Sequence, residues 1–124
     1  MTCPFCEAEA EVILERHAAI LILRDKYPVS PGHSLILPTR HFASYFEATE
    51  KEREALFEGL LRAKRIVERN HKPDGWNIGW NDGTAAGQTI GHLHLHLIPR
   101  YDGDRPDPRG GIRWIFPDKA AYWR

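Results

Sequence analysis

The chain has 124 residues and a mass of 14.3 kDa, which argues for a single domain over residues 1–124, long enough to bury a core without disulfide staples. Its 17 basic and 17 acidic side chains cancel; a broad nucleic-acid interface needs a clustered basic surplus and is not expected, whereas a small anion held by a few local donors is compatible. No apolar run reaches the roughly 18 residues of a membrane span, and the acidic start "MTCPFCEAEAEVI" lacks the basic and apolar regions of a signal peptide, so a cytoplasmic address is expected.

In chain order, the only two cysteines come first, in "CPFC". In a reducing compartment such a pair suggests metal or redox chemistry rather than a disulfide. "EVILER" (11–16) and "AAILILR" (18–24) are short runs rich in Ile, Leu and Val, and they read as an antiparallel hairpin turning near Arg16–His17. Two prolines and a glycine make "DKYPVSPGH" (25–33) a loop, and "HSLILP" (33–38) a third strand closed by Pro38. A helical period begins at Thr49. Thr49 and Glu52 have capping-box spacing, and Ala55, Leu56, Leu60, Ala63 and Val67 form one buried stripe on a helix of about twenty residues, with a charged, solvated outer face. "GWNIGWN" (75–81) and "HLHLHLIP" (92–99) are two further strands, joined by the Gly-rich "NDGTAAGQT". The expected fold is therefore α+β: a five-stranded antiparallel sheet, one long helix, and an irregular C-terminal tail over 101–124 that wraps the domain or crosses to a neighbour.

The run "GHLHLHLIPR" (91–100) carries most of the functional information. On a strand, side chains alternate faces, so His92, His94 and His96 share one face and Leu93, Leu95 and Leu97 the other, under the helix. Three such histidines span about 13 Å, too far for one ion bound at about 2 Å to each nitrogen. At most two share a metal, and at least one does something else. Imidazole is a good nucleophile toward phosphorus and a good proton donor near neutral pH, so a central histidine can attack while its neighbour assists the leaving group. The loop just upstream supplies glycines for close backbone approach, with Gln88 and Thr89 as phosphate donors.

The stretch "NDGTAAGQTIGHLHLHLIPR" resembles the histidine-triad (HIT) superfamily of nucleotide hydrolases and transferases, whose signature is His-x-His-x-His followed by apolar residues. "PGHSLILPTRH" (31–41) is similar to the family's second block, and "CPFC" to the metal-binding start of its bacterial members. The resemblance implies that His94 is the nucleophile, forming a covalent nucleotidyl-histidine on the α-phosphorus, and that His96 contacts phosphate and helps the leaving group depart. It places Asn81, Gly87, Gln88 and Thr89 on ribose and phosphate oxygens, Asp25 on the ribose hydroxyls, His33 in support behind the triad, and Phe5 against the base. Leu23 stands where relatives often carry an aromatic residue, a departure that weakens the base shelf.

The same resemblance implies a structural zinc held by Cys3, Cys6, His41 and His92, four ligands closing a tetrahedron. It also implies a homodimer, to which Trp114 and Trp123 contribute unless they pack internally, and it leaves Arg113 between a phosphate contact and a surface role. The substrate classes it suggests are dinucleoside polyphosphates and nucleoside phosphoramidates. Two rival readings stay open: a nucleotide- or partner-binding module whose hydrolysis is incidental, and a zinc hydrolase using His92 and His94 as ligands.

Overall fold

The computed structural model describes residues 2–124. Strands β1 (Ile13–His17), β2 (Ile20–Arg24), β3 (Ser34–Pro38), β4 (Gly75–Gly79) and β5 (Leu95–Arg100) form one antiparallel sheet in the order β1-β2-β3-β5-β4. The expected five strands and single long helix are present. The hairpin turns later than expected, at Ala18 and Ala19, because Arg16 and His17 still pair with Leu21 and Ile20. Ala18 takes the left-handed conformation (φ 51°) that closes so short a turn. Residues 11 and 12, expected in the first strand, belong instead to a 3-10 turn over Ala10–Val12.

Period-two alternation gives the sheet two apolar faces. Ile20, Ile22, Ile36, Leu95 and Leu97 pack toward helix α1 (Glu50–Glu68) in the main core. Leu21, Leu23, Leu35 and Leu37 face the other way and are covered by Phe5. His96 stands opposite Leu35 on one side and Gly79 on the other, so it emerges on this second face, away from the helix.

The helix starts where its capping residues say it should. Thr49 Oγ1 accepts from the Glu52 amide at 3.1 Å, and Glu52 Oε1 accepts from the Thr49 amide at 2.8 Å. Glu52 also takes a two-pronged bond from Arg40, at 2.8 and 3.0 Å. The Arg40 guanidinium beside it holds the Glu52 carboxyl down at about 2. This pair ties the helix start to the segment carrying His41, and Leu93 donates to the Phe42 carbonyl at 2.7 Å, binding the same segment to the histidine run.

Gly59 lets the helix settle onto the sheet. A Cβ there would lie 2.7 Å from Ile36 Cγ2 and 3.1 Å from Ile20 Cδ1, both fully buried. Helix propensity alone favours alanine over glycine by about 1 kcal/mol, but contact with two immobile side chains outweighs it. Gly59→Ala is expected to destabilise by about 1–3 kcal/mol in urea unfolding; a stabilised variant would show that the interface has slack.

The tail is more ordered than its composition suggests. A 3-10 turn over Gly111–Ile115 is followed by a short helix α2 (Pro117–Ala120), and the segment folds back against β4. Among the described residues, no helix is long and apolar enough to cross a membrane.

Candidate functional site

The histidine run enters the sheet late. Only His96 lies within β5; His92 and His94 sit on the approach to it. The alternation survives in burial, with Leu93, Leu95 and Leu97 fully enclosed on the helix side. What changes is the direction of His92, which is buried and turned to a separate corner.

At that corner His92 Nδ1 lies 3.5 Å from Cys3 Sγ, 3.6 Å from Cys6 Sγ and 3.2 Å from His41 Nδ1, and Cys6 Sγ lies 3.3 Å from His41 Nδ1. An ion bound at about 2.0–2.1 Å to nitrogen and about 2.3 Å to sulfur has tetrahedral edges of about 3.3 Å between nitrogens and about 3.5 Å between nitrogen and sulfur. The observed spacings fit those edges. His92 Nε2 lies 2.7 Å from the Pro38 carbonyl, so it carries the proton and leaves the Nδ1 lone pair for the cluster. Both thiols are free of disulfide. The donor set is that of a closed four-coordinate thiolate–imidazole site, and His94 is not among its members.

His94 is oriented from behind. Its Nδ1 donates to the His92 carbonyl at 2.9 Å, which leaves Nε2 unprotonated with a lone pair to offer. His92 thus contributes a ring to the cysteine–histidine corner and a carbonyl to its neighbour.

His96 belongs to a chain of hydrogen bonds whose direction is fixed at one end. The Val29 amide donates to His33 Nδ1 at 3.2 Å, so His33 bears its proton on Nε2. That proton is shared between His96 Nδ1 at 2.9 Å and, more distantly, Asp25 Oδ2 at 3.4 Å. His96 therefore accepts at Nδ1 and carries its own proton on Nε2, directed away from His33. The His94 and His96 ring centroids are 5.2 Å apart. The arrangement sets a lone pair and a proton donor side by side, a nucleophile beside an acid. Sequence reasoning missed Val29 and Pro38, because a backbone amide and a backbone carbonyl leave no residue-type signal.

Burial pushes the His33, His92 and His96 imidazoles down from their ordinary 6.5, His96 to about 4 with added repulsion from His94 and His33. For such groups the unfolded chain binds more protons than the folded one between the two values, so stability is complete above the unfolded value and is lost as pH falls below it. In metal-free protein, the urea midpoint is expected to be flat across about pH 7–8 and to fall from about pH 6.5 toward pH 4. A midpoint unchanged down to about pH 5 would contradict this.

The loop before the triad is built around Gln88. Its Oε1 accepts from the Gly83 amide at 2.8 Å, and its Nε2 donates to the Ala43 and Ile90 carbonyls at 2.9 and 3.0 Å. The side chain expected to donate to phosphate is thus engaged in shaping the loop. Gly87 closes the 3-10 turn Thr84–Ala86 in the left-handed region (φ 92°), where a side chain would be strained. Asn81 falls just beyond β4, not within it, and lines a cavity with Gly87 and His96. Thr89 is exposed.

On the other side of His96, Asp25 Oδ1 accepts from the Tyr27 amide at 2.8 Å. Asp25 follows β2 directly, next to His33. Phe5 is buried over Leu21, Leu23, Leu35 and Leu37, with its ring centroid 4.8 Å from that of His94. In the tail, Arg113 donates to the Ala120 and Lys119 carbonyls at 3.2 and 2.8 Å, closing the short helix rather than reaching toward the triad. Trp123 packs under Arg109 within the tail, and Trp114 donates to the Arg109 carbonyl at 2.8 Å.

The chain resembles known proteins in both sequence and fold. The family model described as the HIT domain matches residues 6–103. The chain is 31% identical to an AP-4-A phosphorylase of Mycobacterium tuberculosis, in a match covering 82% of this chain and 52% of that protein, so it spans about half the length of that relative. It is 37% identical to an uncharacterized HIT-like protein of the same species, across 100% of this chain and 90% of the relative. Among solved structures, a Zn-bound histidine triad family protein from Mycobacterium smegmatis superposes with a TM-score of 0.74 at 30% identity, covering 86% of this chain and 84% of that one.

Proposed function

Because the chain belongs to the HIT family, we propose that it is a nucleotide hydrolase or transferase that works through a covalent nucleotidyl-histidine at His94. The observation that carries this reading is the pair of fixed tautomers: a lone pair on His94 Nε2, and a proton on His96 Nε2. His94 Nε2 attacks the α-phosphorus, forming a P–N bond as the bond to the leaving oxygen or nitrogen breaks. The His96 Nε2 proton passes to the leaving atom, with His33 and Asp25 holding His96 in orientation. Water, or another acceptor, then displaces the histidine, and its proton returns to His96.

Zinc fits the Cys3, Cys6, His41 and His92 corner by donor type and by spacing. Its role there is structural, since four protein donors leave no open position for water. It would hold the N-terminal segment, and with it Phe5, against the triad. Asp25 and Phe5 are assigned to the nucleoside side of the site, and Asn81, Gly87 and Thr89 to the phosphate side. A homodimer is part of this reading, supported by the exposed Phe57 and Leu61 on the helix. A cytoplasmic address suits a metal site made from two reduced thiols.

Hydrolysis of diadenosine tetraphosphate in ¹⁸O-labelled water tests the bond cleaved. The label is expected in AMP, because water attacks the adenylyl-histidine; label confined to the polyphosphate product would contradict the proposal. Parallel reactions with inorganic phosphate, read as ADP formed, separate transfer from hydrolysis.

A further inference from the structure

The tail beyond the matched domain has no part in the chemistry above, yet it forms one wall of the cavity that opens on His96. That cavity, of about 1000 Å³, runs from His96 and Asn81 along β4 to Ile112, Trp114, Ile115 and Phe116. Its volume is at the upper end of what one small ligand fills. Gly111 seats the wall: a Cβ there would lie 3.1 Å from Asn77 Nδ2, and Asn77 in turn accepts from Arg100 at 2.6 Å. The indole of Trp114 is fixed by its bond to the Arg109 carbonyl and remains 39% exposed. Past Trp114 a second cavity, of about 800 Å³, shares Asn77, Ile98 and Gly111 with the first and ends at Arg105 and Arg124. There Asp104 and Asp107 are already paired with Arg100 and Arg109.

Sheet order gives this trough a direction. β5 lies between β3 and β4, so Asp25 and Phe5 fall on one side of His96 and the tail on the other. We propose that the segment from Asp104 to Arg124 is the subsite for the leaving half of the substrate, with Trp114 as the specificity-determining residue that stacks a planar, phosphate-bearing group. This rests on the nucleotidyl-transfer reading, in which the attacked phosphorus lies over His94 and His96. A planar group beyond the scissile bond meets a rigid aromatic face, and its phosphates meet the arginines past it. The leaving groups selected are those carrying a second nucleotide; ammonia, leaving from a simple phosphoramidate, gains nothing from the wall.

The test compares kcat/KM for diadenosine tetraphosphate and for adenosine 5′-phosphoramidate in the full-length protein. Trp114→Ala is expected to lower the first roughly tenfold or more and to leave the second within about twofold. Trp114→Phe, which keeps a ring, is expected to restore most of the loss. An equal fall for both substrates would overturn the proposal, since the wall would then serve the shared nucleoside or the fold. No change for either would overturn it as well. Quenched adduct formation separates this from the underlying reading: an adenylyl group on His94 in the Trp114 variants leaves that chemistry standing, whereas its absence from the wild-type protein removes both.

Discussion

Replacing His94 with alanine is expected to lower kcat by at least about 10⁴-fold with either substrate class, with little change in nucleotide affinity. The reason lies in the division of labour around the ring. Its Nδ1 proton is held by the His92 carbonyl at 2.9 Å, so its Nε2 combines a free lone pair with a fixed direction. His96 lacks that role, because its Nδ1 is taken up by His33 at 2.9 Å and its Nε2 carries a proton. His96→Ala is therefore expected to lose less, about 10²–10⁴-fold, and least with a leaving group that departs without protonation. Steady-state rates of the two variants, measured beside wild type, check the order. Equal residual activity in His94→Ala and wild type would leave the binding-module reading in front.

Removing the metal is expected to act on stability first and on rate second. One zinc per chain is expected by elemental analysis, and saturation about 1000-fold above Kd stabilises the folded state by about 4 kcal/mol. For a domain of this size that corresponds to a fall of about 10–20 °C in Tm after chelation under reducing conditions. Turnover of the chelated, still folded protein at low temperature is expected to fall far less than in His94→Ala, because His94 is not among the four side chains clustered as donors. Some loss is expected, since the His92 carbonyl positions His94 and the His92 ring belongs to the donor cluster. Complete loss of turnover with the fold intact would instead support a catalytic metal bridging His92 and His94.

Much of this architecture was legible in the sequence, for reasons that can be named. Thr49 and Glu52 announced the helix because reciprocal capping is local chemistry that tertiary contacts here reinforce. The alternation of Leu93, Leu95 and Leu97 announced the buried face of the triad segment, even though only its second half is hydrogen-bonded as strand. The spacing argument that no single ion can take all three histidines agrees with the separation of His92 from His94 and His96 in the structure.

Other features had no local signal. The place of Gln88 in a glycine-rich loop says nothing of its amide bond to the Ala43 carbonyl 45 residues away. The proton order along His33 and His96 depends on the Val29 amide, invisible to any reading of side-chain types. The hairpin turn fell at Ala18 rather than Arg16 because pairing with β2 continues through His17, and alanine is not a residue that advertises a left-handed turn. The tail's Pro and Gly content suggested irregular chain, and its placement against β4 follows from Gly111 meeting Asn77, a contact between segments far apart in sequence.

A covalent bond between His94 and the α-phosphorus is the step on which the proposed function turns. Intact mass spectrometry of the protein, acid-free quenched within milliseconds to seconds of mixing with diadenosine tetraphosphate or adenosine 5′-phosphoramidate, tests it most directly. One added adenylyl group per chain is expected, mapped to His94, accumulating before steady state and absent from His94→Ala. Full turnover with no adduct in either wild type or His96→Ala, where an intermediate awaiting hydrolysis would persist longest, would contradict it and point to direct attack by water.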